Sequence, residues 1–107
     1  MKIVQELSEN NFQEFLDGGT KPILIDFYAN WCSPCRMQSP IFYELASELK
    51  DRVLFAKVDI DENESLAQKY KITSIPCILL FKDGRVVGKA EGLCTKAELA
   101  EMLIKHI

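Results

Sequence analysis

Short apolar runs alternate along the chain with stretches whose apolar residues recur at helical spacing, and this alternation predicts the elements. Ile3-Val4 reads as a short strand. Ser8 is placed to cap a helix reaching about Leu16, with Phe12, Phe15 and Leu16 on one face. Asp17-Gly18-Gly19 ends it, because glycine tolerates a left-handed stop. Pro22 opens the run Ile23 to Tyr28, which is apolar on both faces apart from Asp26. A central strand buried on two sides reads this way. Pro34 to Lys50 is a long helix, with Met37, Ile41, Leu45 and Leu49 expected as the core stripe and Phe42 and Ala46 beside it. Pro40 lies inside; it removes the bond to the Arg36 carbonyl and predicts a kink.

Val53 to Val58 is a third strand, and Asp61 is placed to cap a helix from Glu62 to Tyr70. Pro76 stands where a strand begins and leads into Ile78 to Phe81. Lys82-Asp83-Gly84-Arg85 is a hairpin signal, with Val86 to Glu91 as the returning strand. Thr95-Lys96-Ala97-Glu98 is a capping box for a last helix that turns Leu99, Met102 and Leu103 inward. The resulting order, βαβαβαββα, predicts an α/β fold: a mixed sheet of about five strands with helices on both faces. One domain over residues 1–107 is expected.

Composition supports a packed core, since 48% of the 107 residues are apolar. The net charge of −3 and the scattered lysines and arginines give no reason to expect a nucleic acid or an anionic membrane as partner. The start, Met1 to Glu6, has no signal-peptide apolar core, and the longest apolar run, Ile75 to Phe81, is too short to span a bilayer. A cytoplasmic location is the expectation. In that compartment the glycosylation pattern Asn63-Glu64-Ser65 carries no meaning, and the 4 cysteines do not read as a structural disulfide framework.

The chemistry centres on Trp31-Cys32-Ser33-Pro34-Cys35-Arg36. A strand feeding a helix puts Cys32 at the helix N-terminus, where unpaired N–H groups and the helix dipole favour thiolate over thiol. Pro34 suits the first helical turn, and the spacing lets Cys35 reach back to form a disulfide. Trp31 and Pro34 offer an apolar rim to a partner chain. A single C-x-x-C is also half of a zinc site, but there is no second pair, and the lone histidine, His106, suits a helix end. Asp26 is anomalous inside its apolar run. Burial would raise its pKa, and such a carboxyl could exchange a proton with Cys35. Lys57 is a charge in apolar company, readable as a snorkelling stem.

The Trp-Cys-x-Pro-Cys-Arg motif, Ile25-Asp26-Phe27-Tyr28-Ala29 before it and Ile75-Pro76 after it closely resemble the thioredoxin family, over essentially the whole chain. The resemblance implies the thioredoxin fold and a thiol–disulfide oxidoreductase that reduces protein disulfides. Cys32 would be the nucleophile and Cys35 the resolving thiol, with Asp26 moving the proton and Lys57 paired to Asp26. Pro76 would be cis and face Cys32, and the Ile75 backbone would pair with a substrate chain. Trp31, Pro34 and Gly92 would complete the substrate-binding surface. The implied partners are thioredoxin reductase and oxidised proteins, with no bound cofactor or metal and a monomeric chain.

Three positions depart from the familiar family pattern: Ser33 where glycine is usual, Tyr28 where tryptophan is frequent, and Cys77 where threonine is common. Cys77 reads either as a small buried hydrophobe or as a further thiol near the pair, and Cys94 as a free loop thiol. Other readings stand beside the reductase: a metal or iron–sulfur protein using Cys32, Cys35 and Cys77, a disulfide-forming oxidase or isomerase, and a non-catalytic module that keeps the fold.

Overall fold

Alternation along the central strands divides the core in two. A computed structural model describes residues 2–106, with the elements β1 (Val4–Leu7), α1 (Phe12–Asp17), β2 (Ile23–Tyr28), α2 (Ser33–Leu49), β3 (Leu54–Asp59), α3 (Glu64–Lys69), β4 (Cys77–Lys82), β5 (Arg85–Glu91) and α4 (Lys96–His106). The sheet order is β1-β3-β2-β4-β5. β1, β3 and β2 run parallel, while β4 is antiparallel to both β2 and β5. This is the expected βαβαβαββα order with a five-stranded mixed sheet.

Ile23, Ile25 and Phe27 of β2 point to one face, with Phe12 and Leu16 of α1 and Leu66 of α3. Leu24 points to the other, with Phe42, Leu45 and Ala46 of α2 and Leu99 and Leu103 of α4. The period of two in a strand therefore aims Asp26 at the α2 side. Leu24, Ile25 and Phe27 are fully enclosed, and burying each contributes about 1.5–3 kcal/mol.

Local signals hold where their partners are local. Asp83 and Gly84 both have positive φ (54° and 79°), as a two-residue hairpin with strand-matched twist requires. The Thr95 box is reciprocal: the Glu98 N–H donates to Thr95 Oγ1 at 3.1 Å, and the Thr95 N–H donates to Glu98 Oε1 at 2.9 Å. His106 lies in the last turn of α4.

Several boundaries differ. Ser8 does not cap α1: the helix starts at Phe12, and Ser8 sits in the turn before it, its carbonyl accepting from the Phe12 N–H. Gly18 is right-handed at φ −77°, so α1 ends without a left-handed residue. α3 starts later than Glu62, with Asn63 rather than Asp61 at its cap position, because Asp61 is engaged elsewhere. The helix α2 runs without a break through Pro40. Its buried face is Cys35, Gln38, Phe42, Leu45 and Ala46, and Met37 is 56% exposed. The expected stripe was rotated by about one position, because Met37 and Gln38 differ in polarity the opposite way from their burial. Among the described residues no helix is long and apolar enough to cross a membrane.

Candidate active site

β2 delivers the chain to a tight loop that hands over to α2. The Cys32 N–H donates to the Ala29 carbonyl at 3.2 Å, and Arg36 Nη1 donates to the Asn30 carbonyl at 2.9 Å. Cys32 is extended (φ −88°, ψ 112°) and occupies the N-cap position, where its Sγ accepts from the Cys35 N–H at 3.2 Å. Sulfur thus takes the place that a serine or aspartate oxygen fills at most helix starts. Cys32 and Cys35 are joined as a disulfide, with Cα atoms 5.2 Å apart. Pro34 stands exposed in the first turn. Both cysteines are nearly enclosed, packed with Ala29 and flanked by Tyr28, Ile60 and Ile75. Trp31, 68% exposed, stands beside them.

Asp26 is 4% exposed, and its Oδ1 has no hydrogen-bond partner among the described residues. Burial pushes its carboxyl from 3.8 to about 7, with the Lys57 charge pulling the other way. Asp26 lines a cavity of about 190 Å³ together with Cys35, Ser39, Tyr43 and Lys57. Lys57 is the cross-strand neighbour of Asp26. Its ammonium is not in salt-bridge contact with that carboxyl. It lies 3.7 Å from Glu6 and over the rings of Tyr28 and Tyr43. The expected pairing of Lys57 with Asp26 is therefore not made, because Glu6 and the two tyrosine rings take the ammonium, and only its charge reaches the carboxyl.

The Ile75–Pro76 bond is cis. Pro76 is buried, Ile75 is half-buried, and the Ile75 carbonyl oxygen lies 3.9 Å from Cys32 Sγ. The Gly92 N–H donates to the Pro76 carbonyl at 2.8 Å, and Gly92 has φ +83°, a backbone form that suits glycine. Cys77 turns away into the core cluster of Phe27 and Phe81, not into the one that holds Cys32 and Cys35. Burial raises its thiol from 9.0 to about 11. Among the described residues no group of three or more His, Cys, Asp or Glu is placed to hold a metal ion.

Two further residues brace this region from outside the reacting groups, and neither is among those expected from the sequence. The indole N–H of Trp31 donates to Asp61 Oδ2 at 2.7 Å, so Asp61 holds the exposed ring rather than capping α3. Gln38 is completely buried and bonds both ways to the backbone of Cys94, two residues after Gly92. Its signal was a polar residue at i+3 from Cys35, on the face that the cysteine itself must share.

The thioredoxin family model matches residues 3–105. The chain is 43% identical to a thioredoxin of Chlamydia pneumoniae over 104 residues, covering 97% of this chain and 99% of that one. A thioredoxin of Staphylococcus haemolyticus is 41% identical over 104 residues, with 97% and 98% covered. Among solved structures, a crystal structure of Malassezia sympodialis thioredoxin superposes with a TM-score of 0.86 at 34% identity, covering 96% of this chain and 90% of that one. With the five-stranded mixed sheet, its four helices and the disulfide at the start of α2, these matches mean that the chain belongs to the thioredoxin family, has the thioredoxin fold, and is a thiol–disulfide oxidoreductase whose redox centre is Cys32–Cys35.

Proposed function

We propose that the protein works as a reductant of protein disulfides, with Cys32 attacking and Cys35 resolving. In the dithiol form, the Cys32 thiolate displaces one sulfur of a substrate disulfide. A mixed disulfide forms and a substrate thiolate leaves. The Cys35 thiol then passes its proton to the Asp26 carboxylate and attacks Cys32 Sγ. The Cys32–Cys35 disulfide forms, the second substrate thiolate leaves, and two electrons have moved to the substrate. A carboxyl that titrates near neutrality suits this transfer, because it can take and return a proton at small cost. Lys57 acts on that titration through its charge. Trp31, Pro34, Ile75, Pro76 and Gly92 form the surface on which the substrate chain lies.

The observation that carries this reading is the position of Cys32 at the N-cap of a 17-residue helix, with the buried Asp26 sharing a cavity with Cys35 behind it. The unpaired N–H groups there stabilise the attacking thiolate and make it a good leaving group. A flavoprotein thioredoxin reductase restores the dithiol. The chain acts in the cytoplasm, as a monomer of one domain, without a bound cofactor or metal.

The test is reduction of insulin disulfides with the protein recycled by a thioredoxin reductase. The native protein accelerates precipitation of the reduced chains, and Cys32→Ser abolishes it. Activity that survives in Cys32→Ser rules out this assignment.

A further inference from the structure

The segment 92–95 joins β5 to α4 and lies outside both elements, yet it bonds to Pro76, the residue after Ile75, whose carbonyl oxygen lies 3.9 Å from Cys32 Sγ. Its backbone is tied down at two main points. The Gly92 N–H donates to the Pro76 carbonyl at 2.8 Å. Two residues on, the Cys94 N–H donates to Gln38 Oε1 at 2.8 Å, and Gln38 Nε2 donates to the Cys94 carbonyl at 3.1 Å. Gln38 has no exposed surface. An amide in such a setting is costly unless both of its ends are paired, and here one residue's backbone pairs both. The side chain acts as a rung of sheet supplied from a helix. Gln38 also stands one turn after Cys35 on the buried face of α2. The same helix therefore carries the resolving sulfur and holds the loop. Between the two ties Leu93 is left 44% exposed.

We propose that Gln38 is a positioning residue for substrate binding: it locks the Gly92-Leu93-Cys94 segment to α2, so that the surface beside Pro76 meets a protein substrate already formed. The proposal rests on the reading of Trp31, Pro34, Ile75, Pro76 and Gly92 as the substrate surface. Without the lock the segment must be ordered at each encounter, and that cost falls on binding rather than on sulfur exchange. A small disulfide that touches only Cys32 does not need the segment.

The experiment compares native protein with Gln38→Leu and Gln38→Met, against insulin with dithiothreitol recycling the protein, and, as the pre-reduced protein with no added dithiol, against the small aromatic disulfide dithionitrobenzoate. Amide hydrogen exchange at Cys94 is followed in parallel. In both variants the KM for insulin is expected to rise about threefold to tenfold, in keeping with the loss of a hydrogen-bonded lock. kcat and the rate with dithionitrobenzoate should stay within about twofold, while Cys94 exchange accelerates. The proposal is overturned if the insulin KM is unchanged, or if both substrates slow together, which marks a general loss of structure. Pro76→Ala separates the two levels. If it raises the insulin KM and the Gln38 variants do not, only the role of Gln38 fails. If it leaves the insulin KM unchanged, the substrate surface itself is misassigned and the proposal falls with it.

Discussion

Asp26 and Lys57 are opposite one another on neighbouring parallel strands, yet the acid stays buried and alone while the ammonium turns outward to Glu6 and two tyrosine rings. The period of two sends both side chains to the same face. A tight pair would have held Asp26 ionised. At a distance, the lysine charge offsets only part of the desolvation, and the carboxyl titrates at about 7.

Stability should therefore depend on pH through Asp26. Folding raises this carboxyl from 3.8 to about 7, so the native state binds its proton more tightly than the unfolded chain does. Its favourable contribution is complete below pH 3.8 and is lost as pH climbs to about 7. At pH 8 the ionised acid is a burden, and Asp26→Ala should raise stability by about 2–4 kcal/mol while slowing disulfide exchange. Urea melts of both proteins at pH 5 and pH 8 check this; equal gains at the two values would contradict it.

Replacing Lys57 with methionine removes the one charge that opposes the desolvation of Asp26. The Asp26 titration, followed by carboxyl NMR, should move further upward. A downward move would mean that the lysine acts chiefly by keeping water out.

Cys35→Ser leaves the attacking sulfur without a resolver. Incubated with an oxidised protein substrate, this variant should accumulate a covalent complex through Cys32, visible on a non-reducing gel and released by dithiothreitol. Cys32→Ser should form none.

Trp31 is the only tryptophan of the chain, so its fluorescence reports directly on the bond from its indole to Asp61. Asp61→Ala should lower the anisotropy of that emission. It should destabilise the fold by less than about 1 kcal/mol, because the bond is solvent-exposed. Unchanged anisotropy would show that neighbouring packing alone holds the ring.

Thr95→Ala removes one half of the reciprocal cap at the start of α4. A loss of about 1 kcal/mol in urea melts is expected, with little change in exchange rates because the cap is not part of the redox centre.

Sequence alone determined what is decided within a few residues. The apolar run Ile23 to Tyr28 with its two buried faces, the Asp83-Gly84 turn and the Thr95–Glu98 box are each legible from neighbours in the chain, and each appears in the fold. The spacing of Cys32 and Cys35 belongs with them, since a helix start brings such a pair together by itself. Tertiary structure decided the rest. The phase of α2 depends on which residues face the sheet, and an amide can be buried there only because the Cys94 backbone waits opposite. Asp61 serves Trp31 instead of α3, and Lys57 leans to Glu6 instead of Asp26, because their partners come from other segments. A polar group commits to whichever partner the assembled fold brings within reach, and only the assembled fold contains that information.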